Sequence, residues 1–324
     1  MRRIVCRELG PLENLVVEEV DEPEVSAGTI LVDVEAAGVN FVDALIVRGE
    51  YQLKPPLPFV PGGEIAGRVL AVGDGVTTVE VGDRILGMTG FGGFAERVVI
   101  GAAQAFRVPS QIDATRAATF TQSYCTALFA LRERAGLRAG ETVLVLGAAG
   151  GVGRAAIDVA KALGARVIAA ASSAARAGAC KAAGADEAID YSREDLKSRV
   201  KQLGSVDVIV DPVGGDRAEP ALRTLGVDGR YLVIGFAAGA IPRIPLNLVL
   251  LRNRRVVGVD WGAWMMSNPD AQRRQVGELL ALVEAGRLHP QEPVTYALED
   301  AATALADLLA NRVAGKAALV PRRH

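Results

Sequence analysis

One segment, Val143-Leu144-Val145-Leu146-Gly147-Ala148-Ala149-Gly150-Gly151-Val152-Gly153, leaves this chain few folds to choose from. An unbroken apolar run is a strand buried on both faces, and here it passes through glycines into a helical stretch from about Val152 to Leu163. A strand, a Gly-rich turn and a helix N-terminus together present backbone N–H groups and positive potential to a diphosphate. The G-x-G-x-x-G pattern is incomplete, because Ala148 holds its first position while Gly150 and Gly153 hold the second and third. Taken alone, such a run could be only a tight turn. The chain beyond Gly153 decides between the two. Strands recur at Arg166–Ala171, Glu187–Tyr191, Val206–Asp211, Arg230–Ile234 and Arg255–Asp260, with helical stretches between the earlier ones. Gly164 and Gly184 stand where helices end in a left-handed residue. Six strands in βα order predict an α/β chain with a doubly wound parallel sheet that binds a nucleotide.

The flanks read differently. Short apolar runs at Leu15–Val20, Ile30–Val34, Ile65–Val72, Asp83–Leu86 and Ala95–Ile100 are separated by turn signals such as Gly73-Asp74-Gly75. They predict a compact barrel or sandwich, with Pro55-Pro56-Leu57-Pro58 as an extended loop. Near the other end, Gln275–Ala285 places Val276, Leu279, Leu280 and Val283 on one helix face. A second helix covers Asp300–Leu309, with Asp300 as its N-cap, and a last strand covers Ala317–Val320. We therefore expect a discontinuous β-rich domain of residues 1–122 and 268–324 around a nucleotide-binding domain of residues 123–267.

Composition removes several function classes. Cys6, Cys125, Cys180, His289 and His324 are the only Cys and His residues, too scattered for a disulfide framework or a close-spaced zinc motif. Each Cys reads as a small buried hydrophobe, although Cys125 sits among Ser123, Tyr124 and Thr126. Lys and Arg number 36 against 38 for Asp and Glu, so nothing argues for nucleic acid or an anionic membrane as a bulk partner. The longest uncharged stretch, Ala117–Leu131, has 15 residues and is too short and polar to span a bilayer. Arg7 and Glu8 interrupt the N-terminus before an apolar signal region develops. The expectation is a cytoplasmic protein with a small-molecule substrate.

The end of the second strand selects the cofactor. An NAD site usually carries an acid there for the ribose hydroxyls. This chain has Ser172, Ser173 and then Arg176, with no acid between Arg166 and Gly184. Hydroxyls beside a guanidinium suit a 2′-phosphate, so NADPH is preferred. The plainer reading of Arg176 is a solvated helix-surface charge. Arg154, directly after the last Gly of the turn, is either a solvated charge or a further diphosphate contact.

These residues resemble the zinc-free quinone oxidoreductase (zeta-crystallin-like) branch of the medium-chain dehydrogenase/reductase superfamily, over nearly the whole chain. The resemblance is carried by Ala37-Gly38-Val39-Asn40-Phe41-Val42-Asp43, Arg48-Gly49-Glu50-Tyr51 and Pro58-Phe59-Val60-Pro61-Gly62-Gly63-Glu64-Ile65-Ala66-Gly67. It continues through Val81-Gly82-Asp83-Arg84, the Gly150–Gly153 turn, Asp211-Pro212-Val213-Gly214-Gly215 and Gly315-Lys316. Zinc-dependent relatives carry a Cys and a His where this chain has Asn40 and Gly63, and they have a four-Cys lobe that it lacks.

The resemblance implies a GroES-like domain beside a Rossmann domain, with NADPH in the cleft and no metal. It places Asn40 and Thr126 near the nicotinamide, Gly150, Gly151 and Val152 at the diphosphate, and Ser172, Ser173, Arg176 and Tyr191 around the adenosine phosphate. Gly235 and Phe236 would lie beside the ribose–nicotinamide portion. Blander roles exist for each: a turn residue for Asn40, a helix-surface hydroxyl for Thr126, a half-buried strand residue for Tyr191, strand termination for Gly235-Phe236. A homodimer through the sheet edge near Arg255–Asp260 is also implied.

Without a metal, hydride transfer needs alignment, exclusion of water and hydrogen bonds to a developing oxyanion. Asn40 and Thr126 are the candidate donors, Tyr51 bounds the substrate pocket, and Asp43 and Glu64 take structural roles. The expected activity is NADPH-dependent reduction of quinones or related electrophilic carbonyl compounds. The alternatives are an enoyl-thioester or 2-alkenal reductase and, in another class, an NADPH-binding sensor or RNA-binding protein.

Overall fold

A computed structural model describes residues 1–322. His324 lies outside the described residues. The chain divides into two compact units, one of residues 1–122, 276–285 and 290–324, the other of residues 123–275 and 286–289. The sequence pattern puts the return to the first unit at 268, whereas residues 268–275 and 286–289 group with the second. Apolar spacing locates a helix but does not show which core each of its turns serves. The helix in question is one continuous element, Pro269–Glu284.

In the second unit, the parallel sheet is ordered Glu187–Asp190, Arg166–Ala171, Thr142–Val145, Val206–Asp211, Leu225–Val233, Arg255–Gly258. Numbered along the chain this is the 3-2-1-4-5-6 order of a doubly wound sheet, whose ligands bind outside the carboxyl ends of the strands. Strand Thr142–Val145 is buried at every position, and Leu144, Ile168 and Ile209 form a shared core with Leu196, Val200 and Leu222. Helices Gly151–Ala162 and Ala174–Ala182 follow the first two strands, and Gly164 and Gly184 do adopt positive φ just beyond them. Arg255–Gly258 is an edge strand, with Val256 exposed.

The first unit is built on a sheet ordered Val294–Ala297, Ala317–Val320, Thr29–Val39, Glu64–Val72, Arg84–Met88, Ala105–Arg107. Strand Arg97–Gly101 pairs with Thr29–Val39 off that path, and Arg2–Val5 pairs with Val16–Glu19 in a small second sheet. The C-terminal strand Ala317–Val320 pairs antiparallel with Thr29–Val39, bringing Ala317 opposite Val39. That pairing sets Lys316 beside Asn40, across 276 residues of sequence. Asn40 itself begins the helix Phe41–Val47, which the sequence pattern does not predict. Asp300 stands at the start of helix Ala301–Leu309 but its side chain makes no cap, because residues 298–300 already form a 3-10 turn.

Candidate active site

Asn40 follows directly on the long strand Thr29–Val39, and Glu64 opens the neighbouring strand. The two strands run antiparallel, so Asn40 and Glu64 meet at one end of the sheet. Close passage matters here. A Cβ on Gly38 would lie 2.2 Å from the Ala118 carbonyl oxygen and 2.8 Å from Glu64 Cγ, so only glycine lets the strand through.

The result is a buried polar cluster. Asn40, Asp43 and Glu64 are 6%, 4% and 1% exposed. Asn40 Nδ2 donates to Glu64 Oε1 at 3.0 Å, and Lys316 Nζ donates to Glu64 Oε1 at 2.8 Å and to Asn40 Oδ1. Thr121 Oγ1 and the Gln122 N–H donate to Glu64 Oε2 at 2.7 and 2.9 Å. Asp43 accepts the Asn40 backbone N–H at 2.8 Å. Burial would raise the Glu64 carboxyl, but the Lys316 ammonium and the hydrogen bonds from Gln122 and Thr121 hold it below its ordinary value. Asp43 has the opposite fate. Burial pushes its carboxyl up to about 7, with the charge of Glu64 adding and the Asn40 N–H and Lys316 opposing. Removing one member of a buried ion pair strands the other charge, at a cost of about 3–5 kcal/mol.

Asn40 is therefore no simple turn residue: its amide is held by a donor on one side and an acceptor on the other. In the sequence, Glu64 and Lys316 stand out only as parts of short motifs, and Glu64 reads as structural. No local pattern reveals that three distant segments place them on one amide. Tyr51, also in the first unit, is half-buried and packs on that unit's apolar core.

Apart from Thr126, the second unit gathers the remaining predicted residues at the carboxyl ends of its parallel strands. Gly150 is the N-cap of helix Gly151–Ala162, with extended backbone at φ −81° and ψ 174°. A Cβ there would meet only the Gly147 carbonyl oxygen at 3.4 Å, so the space above the turn is open. Gly153 differs: its Cβ would lie 2.4 Å from the Gly147 carbonyl oxygen and 2.7 Å from Ala148 Cα. Val152 lies between them in the first helical turn. Arg154 is half-buried and its Nε reaches the Ala149 carbonyl at 3.4 Å, so it is not a fully solvated charge.

On the neighbouring strand, Ser173 caps helix Ala174–Ala182 by accepting the Arg176 N–H, and Arg176 Nη1 donates to Ser172 Oγ at 3.1 Å. The guanidinium is thereby folded back over the strand end rather than spread on the helix surface. Tyr191 follows the third strand, with the Arg217 guanidinium 4.1 Å from its ring centroid. Gly235 and Phe236 follow the fifth strand, and the Phe236 ring covers Gly214 closely enough to meet a Cβ there at 2.8 Å. Gly214 is fixed in turn by Asp211, whose Oδ1 accepts the N–H groups of Val213 and Gly214.

Thr126 is buried on helix Thr121–Leu128. It belongs to the second unit and Asn40 to the first. Among the described residues, no three His, Cys, Asp or Glu side chains form a metal-holding group, and no helix is long and apolar enough to cross a membrane.

Comparison with known proteins agrees with both units. Residues 26–110 match the alcohol dehydrogenase GroES-like domain, and residues 151–282 match the zinc-binding dehydrogenase family. The chain is 39% identical to quinone oxidoreductase-like protein 2 of Bos taurus, over 98% of this chain and 92% of that protein. It is 33% identical to a quinone oxidoreductase of Pseudomonas aeruginosa, over 99% of each. The crystal structure of Escherichia coli quinone oxidoreductase complexed with NADPH superposes with a TM-score of 0.88 at 30% identity, over 99% of this chain and 100% of that one.

Proposed function

We propose that this chain, which belongs to the quinone oxidoreductase-like branch of the medium-chain dehydrogenase/reductase superfamily, is an NADPH-dependent oxidoreductase that reduces quinones or related electrophilic carbonyl compounds without zinc. The observation that carries the reading is the pairing of an open Gly150 turn with the Ser172–Arg176 contact on adjacent strands. The first suits a diphosphate approaching backbone N–H groups, the second a 2′-phosphate.

Gly150, Gly151 and Val152 hold the diphosphate in this reading, and Ser172, Ser173, Arg176 and Tyr191 the adenosine phosphate. Gly235 and Phe236 border the ribose–nicotinamide portion. NADPH supplies a hydride when bound. Asn40 and Thr126 orient the reacting groups and offer hydrogen bonds where negative charge develops on the acceptor oxygen, and Tyr51 limits the pocket. Zinc independence is supported by chemistry at the relevant positions. Asn40 and Gly63 stand where zinc-dependent relatives carry ligands, and residues 151–282 contain one Cys and no His.

The exposed Val256 on the edge strand Arg255–Gly258 supports a homodimer joined through that edge, which a mass measurement in solution checks. Three free, buried cysteines suit the reducing cytoplasm. The decisive experiment is a rate panel with NADPH against quinones, 2-alkenals and enoyl thioesters, with and without a metal chelator. We expect quinone turnover that the chelator leaves unchanged. Fast thioester or alkenal reduction with no quinone turnover would replace the first reading with a C=C reductase. No turnover of any acceptor, with salt-sensitive RNA binding that NADPH displaces, would point to a non-enzymatic role.

A further inference from the structure

The Asn40 amide has a polarity that the structure fixes. Which end of an asparagine amide carries the nitrogen is settled by its partners. Lys316 can only donate and an ionised Glu64 can only accept. Lys316 Nζ on one side and Glu64 Oε1, 3.0 Å from the other, therefore force Oδ1 toward the lysine and Nδ2 toward the glutamate. Glu64 Oε1 also takes a hydrogen bond from Lys316 at 2.8 Å, closing a ring of three side chains. Glu64 Oε2 is anchored independently by Thr121 and the Gln122 N–H. One Nδ2 hydrogen of Asn40 goes to Glu64 at 3.0 Å; the same side chain has a further, minor contact with the Asp43 carboxyl, and its second N–H is not committed to Glu64.

We propose that Lys316 and Glu64 are positioning residues for hydride transfer: they lock and polarise the Asn40 amide so that its second N–H is a directed donor to the reacting groups. The inference rests on the reading that Asn40 lies beside the nicotinamide and acceptor. An ammonium on Oδ1 withdraws electron density from the amide and strengthens its N–H as a donor, because hydrogen bonds in a chain polarise one another. Burial of Asn40 and Glu64, with Lys316 only 12% exposed, magnifies the effect, since little water competes for the contacts. The amide torsion of an unclamped asparagine is broad, so loss of the clamp also loses direction. A fixed cation hydrogen-bonded to the donor would thus serve a polarising role that a bound metal serves in other oxidoreductases.

The test is a double-mutant cycle in the full-length protein, with single-turnover NADPH oxidation by the best quinone from the panel. Lys316→Met is expected to slow hydride transfer about 10- to 100-fold, the range that misplacement of a reacting or orienting group brings. Lys316→Arg should recover most of that loss. Asn40→Ala/Lys316→Met should be no slower than Asn40→Ala alone, because both changes remove the same directed N–H. Losses that multiply, or a folded Lys316→Met that reacts as fast as the parent, would overturn the proposal. If Lys316→Met does not fold because Glu64 is stranded, Glu64→Gln/Lys316→Met leaves no unpaired charge at position 64 and takes its place in the cycle. A second readout does not depend on turnover. In protein labelled with nitrogen-15 at asparagine, the Asn40 side-chain amide should show two well-separated, slowly exchanging protons that shift and exchange faster on loss of Lys316. An unchanged amide signal would sink the idea even if the chain proves to reduce nothing. A clamped amide in a protein with no NADPH turnover would instead reject only the reading on which the inference rests.

Discussion

Gly150 and Gly153 lie three residues apart in one turn, and replacing each by alanine should produce opposite losses. At Gly153 an added Cβ would sit 2.4 Å from one backbone atom and 2.7 Å from another, and real Cβ contacts do not fall below about 3.0 Å. Helix Gly151–Ala162 must then move off the turn by about 0.6 Å or more. Both obstacles are backbone, so no side chain can swing aside. Overpacking of this kind costs about 1–3 kcal/mol, and the upper end applies here. Alanine returns about 1 kcal/mol of helix propensity, leaving a net loss of about 2 kcal/mol. For the second unit, which is of the order of 150 residues, that lowers the melting temperature by about 4–8 °C. At Gly150 the nearest atom to an added Cβ is 3.4 Å away and the backbone is extended, so the fold loses about 1 kcal/mol or less, chiefly through the weaker N-cap. Its Cβ would stand instead where the diphosphate approaches. Loss of one charge-assisted hydrogen bond of about 1.5–3 kcal/mol weakens NADPH roughly 10- to 100-fold. Thermal melts and NADPH titrations on the two variants separate these outcomes. A Gly150→Ala protein that binds NADPH like the parent would refute the diphosphate assignment, and a Gly153→Ala protein of unchanged stability would refute the packing argument.

Arg176→Ala should weaken NADPH about 10- to 100-fold through the lost guanidinium–phosphate contact and leave NADH nearly untouched, as paired titrations would show; equal losses would mean that Arg176 does not grip the 2′-phosphate. Asp43→Asn probes the buried carboxyl. The folded Asp43 carboxyl, near 7, binds its proton more tightly than an unfolded one at 3.8, so its contribution to stability is complete below about pH 4 and lost as the pH rises through about 7. Asparagine does not titrate. Denaturant titrations should therefore show the parent losing stability relative to the variant across that window, by about 4 kcal/mol at most, whereas a constant difference between pH 4 and 8 would contradict the shift. Glu64 does not blur the result. Its depressed carboxyl contributes above its ordinary 4.5, and that contribution disappears only as the pH falls through its still lower folded value.

The parallel sheet was legible in the sequence because its information is local. Arg166–Ala171 and Val206–Asp211 are rich in Val, Ile and Ala, with charged residues at Arg166, Asp207 and Asp211, and the structure gives both strands those bounds. Gly164 and Gly184 mark helix ends by a backbone conformation that few other residues adopt. The first unit was harder to read. Arg2–Val5 and Ala105–Arg107 are short strands with charged or exposed residues, and they exist through pairing with distant partners. Helix Phe41–Val47 has too few turns to show a period. The Arg217 guanidinium over Tyr191 joins residues that no spacing rule connects.

The same distinction explains why the Asn40 cluster could be read only in part. Asn40 stands out by its residue type at that position, but its role depends on what surrounds it. Its neighbours arrive from 24 and 276 residues away, through strand Glu64–Val72 and strand Ala317–Val320. Sequence order gives no sign that a carboxylate and an ammonium will share one amide, and a buried ion pair is destabilising unless its geometry is satisfied. Here every arm of Glu64 is used: Oε1 by Asn40 and Lys316, Oε2 by Thr121 and Gln122. Asp43, in the first turn of the helix that Asn40 begins, accepts the Asn40 N–H and keeps its proton to about pH 7. Two carboxyls in one buried cluster thus end in different protonation states, the ionised one paired with the lysine and the protonatable one set against the helix start. Apolar residues of the same volume would serve packing alone at least as well. Keeping two carboxyls, an amide and an ammonium there makes physical sense if the direction of the amide matters.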